Sequence, residues 1–467
     1  MTLQPNPAGS APTPVFASGT RGFLVAAPHS GAGKTTLTLA LLRAFRQRGV
    51  TVASAKSGPD YIDPAFHAAA TGRPCVNLDA YAMSPEQIRG LTAIRASSVD
   101  LFVVEGAMGL FDGAASGQGS AADLARILGL PVVLVVDCAR QSQSIAALVH
   151  GFASFRADVT VAGVILNRVA SPRHEAMLRQ ALEPLRLPVI GAVPASDDLV
   201  LPDRHLGLVQ AAEHPDLDGF LEGAGARIAA CLDLSMLQSE IARPLPAHAA
   251  FDRAPVLLPP PGQRIAVARD VAFAFAYPHL LAGWQAAGAE LSLFSPLADE
   301  VPDPAADAIF LPGGYPELHA GPLAAKGRFR DGLRLAADRG SLIYGECGGY
   351  MTLGEALIDA QGVSHPMLGL LPLVTSFAAR RRHLGYRQLE PVIPGVWPGE
   401  PRDEDDGALM GHEFHYATIL HEGEADRLFR ARDALGTALP DMGLRRANVL
   451  GSFAHLIGRK TPMMAET

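Results

Sequence analysis

Paired cysteines are missing from this chain of 467 residues: the four present, Cys75, Cys138, Cys231 and Cys347, stand far apart with no metal-ligand spacing. That scarcity excludes a disulfide-stapled scaffold and a cysteine zinc site, and it points to a reducing cytoplasm. Long apolar runs are missing too, since none approaches the ~20 residues that a membrane span needs. The Pro-, Ala- and Ser-rich residues 1–20 have neither a basic nor an apolar leader region, so they read as a loose tail and not as a signal peptide. Charge is sparse, at 18% of residues, and its net value of −8 argues against a nucleic-acid surface, although it leaves room for a local basic pocket. No repeat of solenoid period is found. What remains is a globular composition, 48% hydrophobic, in a chain too long for one ordinary core, so two domains are expected.

Short apolar strands alternate with helical patterns along most of the length. Residues 22–27 (Gly-Phe-Leu-Val-Ala-Ala) read as a buried strand, and helical spacing runs from Thr35 to Arg48, ending at Gly49. Further strands are expected at 101–104, 132–136 and 161–166. Between Ile241 and Gly262 the chain turns Pro-rich (Arg-Pro-Leu-Pro, then Leu-Leu-Pro-Pro-Pro-Gly), which marks a linker at 241–262. The rhythm restarts at Arg264–Arg269, Ala308–Leu311 and Ser341–Tyr344, while 395–407 is polar and turn-rich, a surface loop. The expected fold class is α/β with two doubly wound domains, over 21–240 and 263–467, the first of them a parallel sheet covered on both faces.

Two motifs carry chemistry. The first is Ser30-Gly31-Ala32-Gly33-Lys34-Thr35-Thr36, a phosphate loop between a buried strand and a helix. Its glycines let backbone N–H groups close on phosphate oxygens, Lys34 meets the outer phosphates, and the Thr35 hydroxyl is a ligand for Mg²⁺. Pro28 stands where the full pattern has its first glycine. Mg²⁺ takes one or two protein carboxylates. Glu105, at the end of a strand, and Asp60, in Lys56-Ser-Gly-Pro-Asp60-Tyr-Ile-Asp63-Pro, are the candidates, with a helix cap or a turn as the plainer role for each. Lys56 is a candidate for neutralising a transferring phosphoryl group, and Asn167 for reading the adenine edge or closing a turn.

The second motif is Tyr344-Gly-Glu-Cys347-Gly-Gly-Tyr350, a thiol on a sharp strand-to-helix turn. A helix N-terminus beside the sulfur favours the thiolate. Gly348 and Gly314, the latter in Pro312-Gly-Gly-Tyr315, are candidate oxyanion donors, and His455 is the candidate base. His412 and His415 lack any accompanying metal pattern and read as substrate-contacting or structural. ATP to activate a carboxylate and a cysteine to release ammonia from glutamine together imply an ATP-dependent amide-forming enzyme, that is, a glutamine-hydrolysing carbon–nitrogen ligase.

Taken together these residues resemble the cobyrinic or hydrogenobyrinic acid a,c-diamide synthases of the corrin pathway, from about Gly22 to Ile457. Four strings carry the resemblance: Lys56–Pro64, Val104–Gly113, Leu201–Leu208 and Gly411–Tyr416. The resemblance implies a dethiobiotin-synthetase-like P-loop domain fused to a class I glutamine amidotransferase domain. It implies phosphorylation of the c and a carboxylates of the macrocycle by Mg·ATP, with Lys34, Thr35, Asp60 and Glu105 serving the nucleotide, and displacement of phosphate by ammonia made at Cys347 and His455. It places the chain in cobalamin biosynthesis and, through the Phe453–Ile457 ending, leans towards the cobalt-free acid. One departure is Ile457, at the position where triad amidotransferases carry a glutamate and members of this family often a second histidine. A polycarboxylate substrate needs local basic groups, and Arg380, Arg381 and Arg382, followed by Tyr386 and Arg387, form one candidate cluster, with Arg204 and His205 another. The nearest alternative is a cobyric acid synthase acting on other carboxylates of the ring. From another class comes a P-loop ATPase switch with a degenerate amidotransferase domain. Either class is compatible with a homodimer.

Overall fold

The computed structural model of the chain describes residues 19–204, 207–246, 254–393 and 409–460. The N-terminal domain is a parallel sheet built from β1 (Arg21–Ala26), β2 (Val52–Ser57), β3 (Val76–Leu78), β4 (Leu101–Glu105), β5 (Val132–Asp137), β6 (Val161–Val169) and β7 (Val189–Pro194). Their order across the sheet is β3-β2-β4-β1-β5-β6-β7, with every neighbouring pair parallel. The central strands are apolar along their whole length because helices cover both faces, and Phe23, Leu24, Val25, Val103, Val104 and Val133 are fully buried. Helix α1 (Lys34–Gln47) follows β1 directly, and α2 (Asp63–Thr71) follows β2. In such a sheet the carboxyl ends of the strands form the ligand edge, and Ala26, Ser57 and Glu105 end β1, β2 and β4 there.

The C-terminal domain opens with parallel strands at Arg264–Ala268, Glu290–Phe294, Ala308–Leu311, Leu342–Glu346 and Val449–Ser452. From Val449–Ser452 the same sheet continues antiparallel through Ala438–Arg446, Asp426–Arg432, His383–Pro391, Leu409–His415 and Ala454–Arg459. The stretch between the domains is anchored at both ends. Arg243–Pro244 pairs with Arg21–Gly22, while the Leu258 carbonyl accepts a hydrogen bond from Trp284 Nε1 at 3.1 Å.

One apolar core runs through both domains, joining Leu24, Phe102, Leu134 and Val136 to Trp284, Leu409 and Leu456. Polar clasps fix the mutual orientation: the Tyr386 hydroxyl donates to Asp79 Oδ2 at 2.9 Å, Lys460 Nζ to the Tyr81 carbonyl at 2.6 Å, and Gln87 Nε2 to the Arg459 carbonyl at 2.8 Å. No helix among the described residues is long and apolar enough to cross a membrane.

Candidate active sites

The phosphate loop closes over the start of α1. Gly31 and Gly33 take φ of 82° and 87°, a region that side chains rarely enter. A Cβ on Gly33 would lie 2.3 Å from Asn167 Nδ2, and that amide donates to the Ala32 carbonyl at 2.8 Å. Asn167 therefore braces the loop from the end of β6. Lys34 is buried, and burial followed by the nearby Lys56 lowers its pKa.

Behind the loop lies a buried charge cluster. Thr35 Oγ1 donates to Glu105 Oε1 at 2.6 Å, and Lys56 Nζ reaches the same oxygen at 2.6 Å and Asp63 Oδ2 at 2.6 Å. His67 Nε2 holds the other Glu105 oxygen at 2.7 Å. Burial works against the charge on Glu105, yet Lys56 and then His67 outweigh it and hold its pKa low. Burial likewise opposes the charge on Lys56, and Asp63 and Glu105 outweigh it and hold its pKa high. Burial, with Asp60 next, pushes Asp63 up to about 6. Thr35, Glu105 and Asp63 thus converge as oxygen donors, the set that a hard dication such as Mg²⁺ requires. Asp60 stands differently. Its Oδ1 accepts from the Ile62 and Asp63 N–H groups at 2.9 Å each, capping the turn into α2. Sequence reasoning missed Asp63 as an oxygen donor and His67 as the partner of Glu105, although their spacing of four on one helix face was a signal.

The second site sits on the turn after Leu342–Glu346. Cys347 takes φ 47° and ψ −102°, a strained strand-to-helix turn, and donates its N–H to the Ser452 carbonyl at 2.8 Å. Close packing demands the flanking glycines: a Cβ on Gly349 would lie 1.9 Å from the Leu311 carbonyl oxygen, and one on Gly348 would lie 3.0 Å from the Gly314 nitrogen. The Gly314 and Gly348 backbones therefore converge beside the thiol. Burial, then the carboxylate of Glu317, pushes the Cys347 thiol up, while the Gly348 N–H pulls it down.

His455, from the last strand, is fully buried, and burial drives its pKa down to about 3. Neither ring nitrogen has a hydrogen-bond partner in good geometry among the described residues. The carboxylate behind it is Glu346: its Oε2 lies 3.7 Å from His455 Nδ1, and its Oε1 accepts from the Leu456 N–H at 2.9 Å. Burial raises Glu346 to about 8. Ile457, at the usual triad position, is buried core.

Between the two sites lies a cavity of about 650 Å³, lined from one side by Asp60, Tyr61 and Met108 and from the other by Tyr386, Arg387 and His412. Arg387 pairs with Glu413 Oε2 at 2.6 Å, and Glu413 Oε1 accepts from His415 Nε2 at 2.7 Å. His383, Glu413 and His415 bring three ligand-type atoms within 4.8 Å of one another, but Glu413 is already committed to Arg387 and the two imidazoles stack face to face at 4.7 Å. Arg380, Arg381 and Arg382 are exposed just before the strand His383–Pro391, whose Leu384–Arg387 segment forms a cavity wall. Arg204 lies in a two-residue strand, while His205 and the loop at 395–407 fall outside the described residues.

The comparisons with known proteins agree with this two-part geometry. Residues 23–209 match the CobQ/CobB/MinD/ParA nucleotide binding domain, and residues 264–462 match the CobB/CobQ-like glutamine amidotransferase domain. The chain is 61% identical over 440 residues to a hydrogenobyrinate a,c-diamide synthase of Brucella anthropi, covering 94% of this chain and 98% of that one. It is 59% identical over 438 residues to one from Sinorhizobium sp., covering 93% and 98%. It is 51% identical over 449 residues to one from Rhodobacter capsulatus, covering 95% and 100%. With matches of this identity along nearly its whole length, the chain belongs to the hydrogenobyrinate a,c-diamide synthase family.

Proposed function

We propose that the chain uses ATP and glutamine to amidate the a and c carboxylates of hydrogenobyrinic acid, working in the cytoplasm, where its free thiols persist. The observation that carries the proposal is the cavity between the domains, walled by the loop of the nucleotide site on one side and by the strands that carry His412 and Arg387 on the other. The corrinoid acid sits there, with Arg387 and the exposed Arg380–Arg382 run at its rim meeting its carboxylates.

In the first step a peripheral carboxylate oxygen attacks the γ-phosphorus of ATP, the bond to the β-phosphate oxygen breaks, and ADP leaves. Lys34 and the N–H groups around Gly31 and Gly33 hold the phosphates. Thr35, Glu105 and Asp63, with Asp60 beside them, would hold Mg²⁺, which supplies charge neutralisation at the phosphates. In the other domain the Cys347 sulfur attacks the side-chain carbonyl of glutamine. The oxyanion lies against the Gly314 and Gly348 N–H groups, and the thiol proton passes through His455 to the departing ammonia. Glu346 stands behind His455 in the place of the missing downstream glutamate. Water then hydrolyses the thioester to glutamate. Ammonia attacks the acyl phosphate carbon, phosphate leaves, a proton is lost, and the cycle repeats at the second carboxylate.

The test is mass spectrometry of hydrogenobyrinic and cobyrinic acids after incubation with protein, glutamine and Mg·ATP. Two successive amidations of the cobalt-free acid are expected. ATP hydrolysis with both acids unchanged would overturn the proposal.

A further inference from the structure

Tyr61 belongs to the nucleotide domain yet packs on the glutaminase base. Its ring stacks on His455 with centroids 4.1 Å apart and planes at 28°, and its hydroxyl lies 2.9 Å from His412 Nδ1. Phe275 stacks near Tyr61 at 5.5 Å and Tyr277 at 5.3 Å, so the ring is set among four aromatic side chains of the other domain. In sequence it stands between Asp60, which caps the turn, and Asp63, which is ion-paired to Lys56 in the nucleotide cluster.

The glutaminase groups are not engaged in this arrangement. Cys347 and His455 are sealed from solvent, at 3% and 0% exposure, and the His455 ring nitrogens make no hydrogen bond to the thiol. A general base has to come within hydrogen-bond reach of the proton it takes. Tyr61 also has room to leave, because it lines two cavities, of about 650 and 730 Å³.

We propose that Tyr61 is the positioning residue through which the nucleotide loop sets the glutaminase histidine. Stacked on the ring, it holds His455 idle; withdrawn when Mg·ATP and the corrinoid acid occupy the synthetase site, it releases His455 onto Cys347. This rests on the glutaminase reading above and adds to it the device that keeps glutamine from being hydrolysed without an acyl acceptor.

The experiment measures how fast a glutamine chloroketone labels Cys347 in the full chain, with and without Mg·ATP and hydrogenobyrinic acid, together with glutamate released per amide formed. In the parent protein the ligands should accelerate labelling about tenfold, within the usual range of coupling between sites, and the glutamate-to-amide ratio should stay at unity. Tyr61→Ala should label at the fast rate with no ligand present and release several glutamates per amide. Tyr61→Phe, which keeps the ring, should behave as the parent. Thermal unfolding confirms that the variants fold, and Tyr61→Leu replaces the alanine variant if that one does not. Slow labelling in Tyr61→Ala that still responds to ligands as the parent does would overturn the proposal, as would a Tyr61→Phe that behaves like Tyr61→Ala. The ligand-free comparison needs no corrinoid. A parent that makes no diamide therefore overturns the functional reading and leaves this test standing.

Discussion

Glu105 is the residue on which the synthetase site turns, because three partners meet on its carboxylate: the Thr35 hydroxyl, the Lys56 ammonium and His67. Glu105→Gln should lower ATP-driven amidation by about 100-fold, with glutamine or with ammonium as nitrogen donor, since it removes a carboxylate that would hold Mg²⁺ at the phosphates and that anchors Thr35 and Lys56. It should also destabilise the fold by about 3 kcal/mol in chemical denaturation, because Lys56 and His67 lose a buried partner. Glu346 offers a test in pH. Its folded value of about 8 lies above the ordinary value of 4.5, so folding takes up a proton between those limits. Its contribution to stability is present at low pH and is lost as pH rises through that window. Glu346→Gln should therefore match the parent near the lower limit and exceed it in stability above the upper one, as read by denaturant midpoints. Equal pH profiles for the two proteins would contradict the assignment of a neutral buried carboxyl. At this scale the sequence was informative where motif and backbone coincide, as at Gly33, Lys34 and Cys347. It was silent on Glu346, whose role depends on a strand more than a hundred residues away, and it singled out Asp60 and passed over Asp63, although Asp60 caps the turn into α2 and Asp63 is the one that reaches Lys56.

Among the elements, those most legible from sequence were the apolar parallel strands. β1, β4, β5 and β6 read directly because buried strands of a doubly covered sheet are continuously apolar. β2 did not, since Val-Ala-Ser-Ala-Lys-Ser lacks that signature although every residue in it is buried. The antiparallel half of the second sheet was also hidden, because strands such as His383–Pro391 are half-exposed and polar. That strand nonetheless forms a wall of the inter-domain cavity, and the exposed arginines before it give an element-level prediction. Arg381→Ala combined with Arg382→Ala should raise KM for the corrinoid acid by at least about tenfold, the loss of one or two charge-assisted hydrogen bonds, while KM for glutamine stays unchanged. An unchanged KM for the acid would remove this loop from the substrate site.

Across the whole molecule, the inter-domain cavity takes its walls from both domains, Asp60, Tyr61 and Met108 on one side and Tyr386, Arg387 and His412 on the other, and neither domain alone contains them. The clasps that set this geometry, Tyr386 to Asp79 and Lys460 to Tyr81, join residues some three hundred or more positions apart, a separation at which single-sequence patterns carry no information. Cys347→Ala should therefore abolish glutamine-driven amidation while ammonium still supports it, as followed by product mass. The most direct test of the central claim uses glutamine carrying heavy nitrogen in its side-chain amide, with hydrogenobyrinic acid and Mg·ATP. The expected product is a diamide whose two new amides both carry the heavy nitrogen, because glutamine supplies that nitrogen through Cys347. A diamide bearing unlabelled nitrogen, or an acid left unchanged, would contradict it.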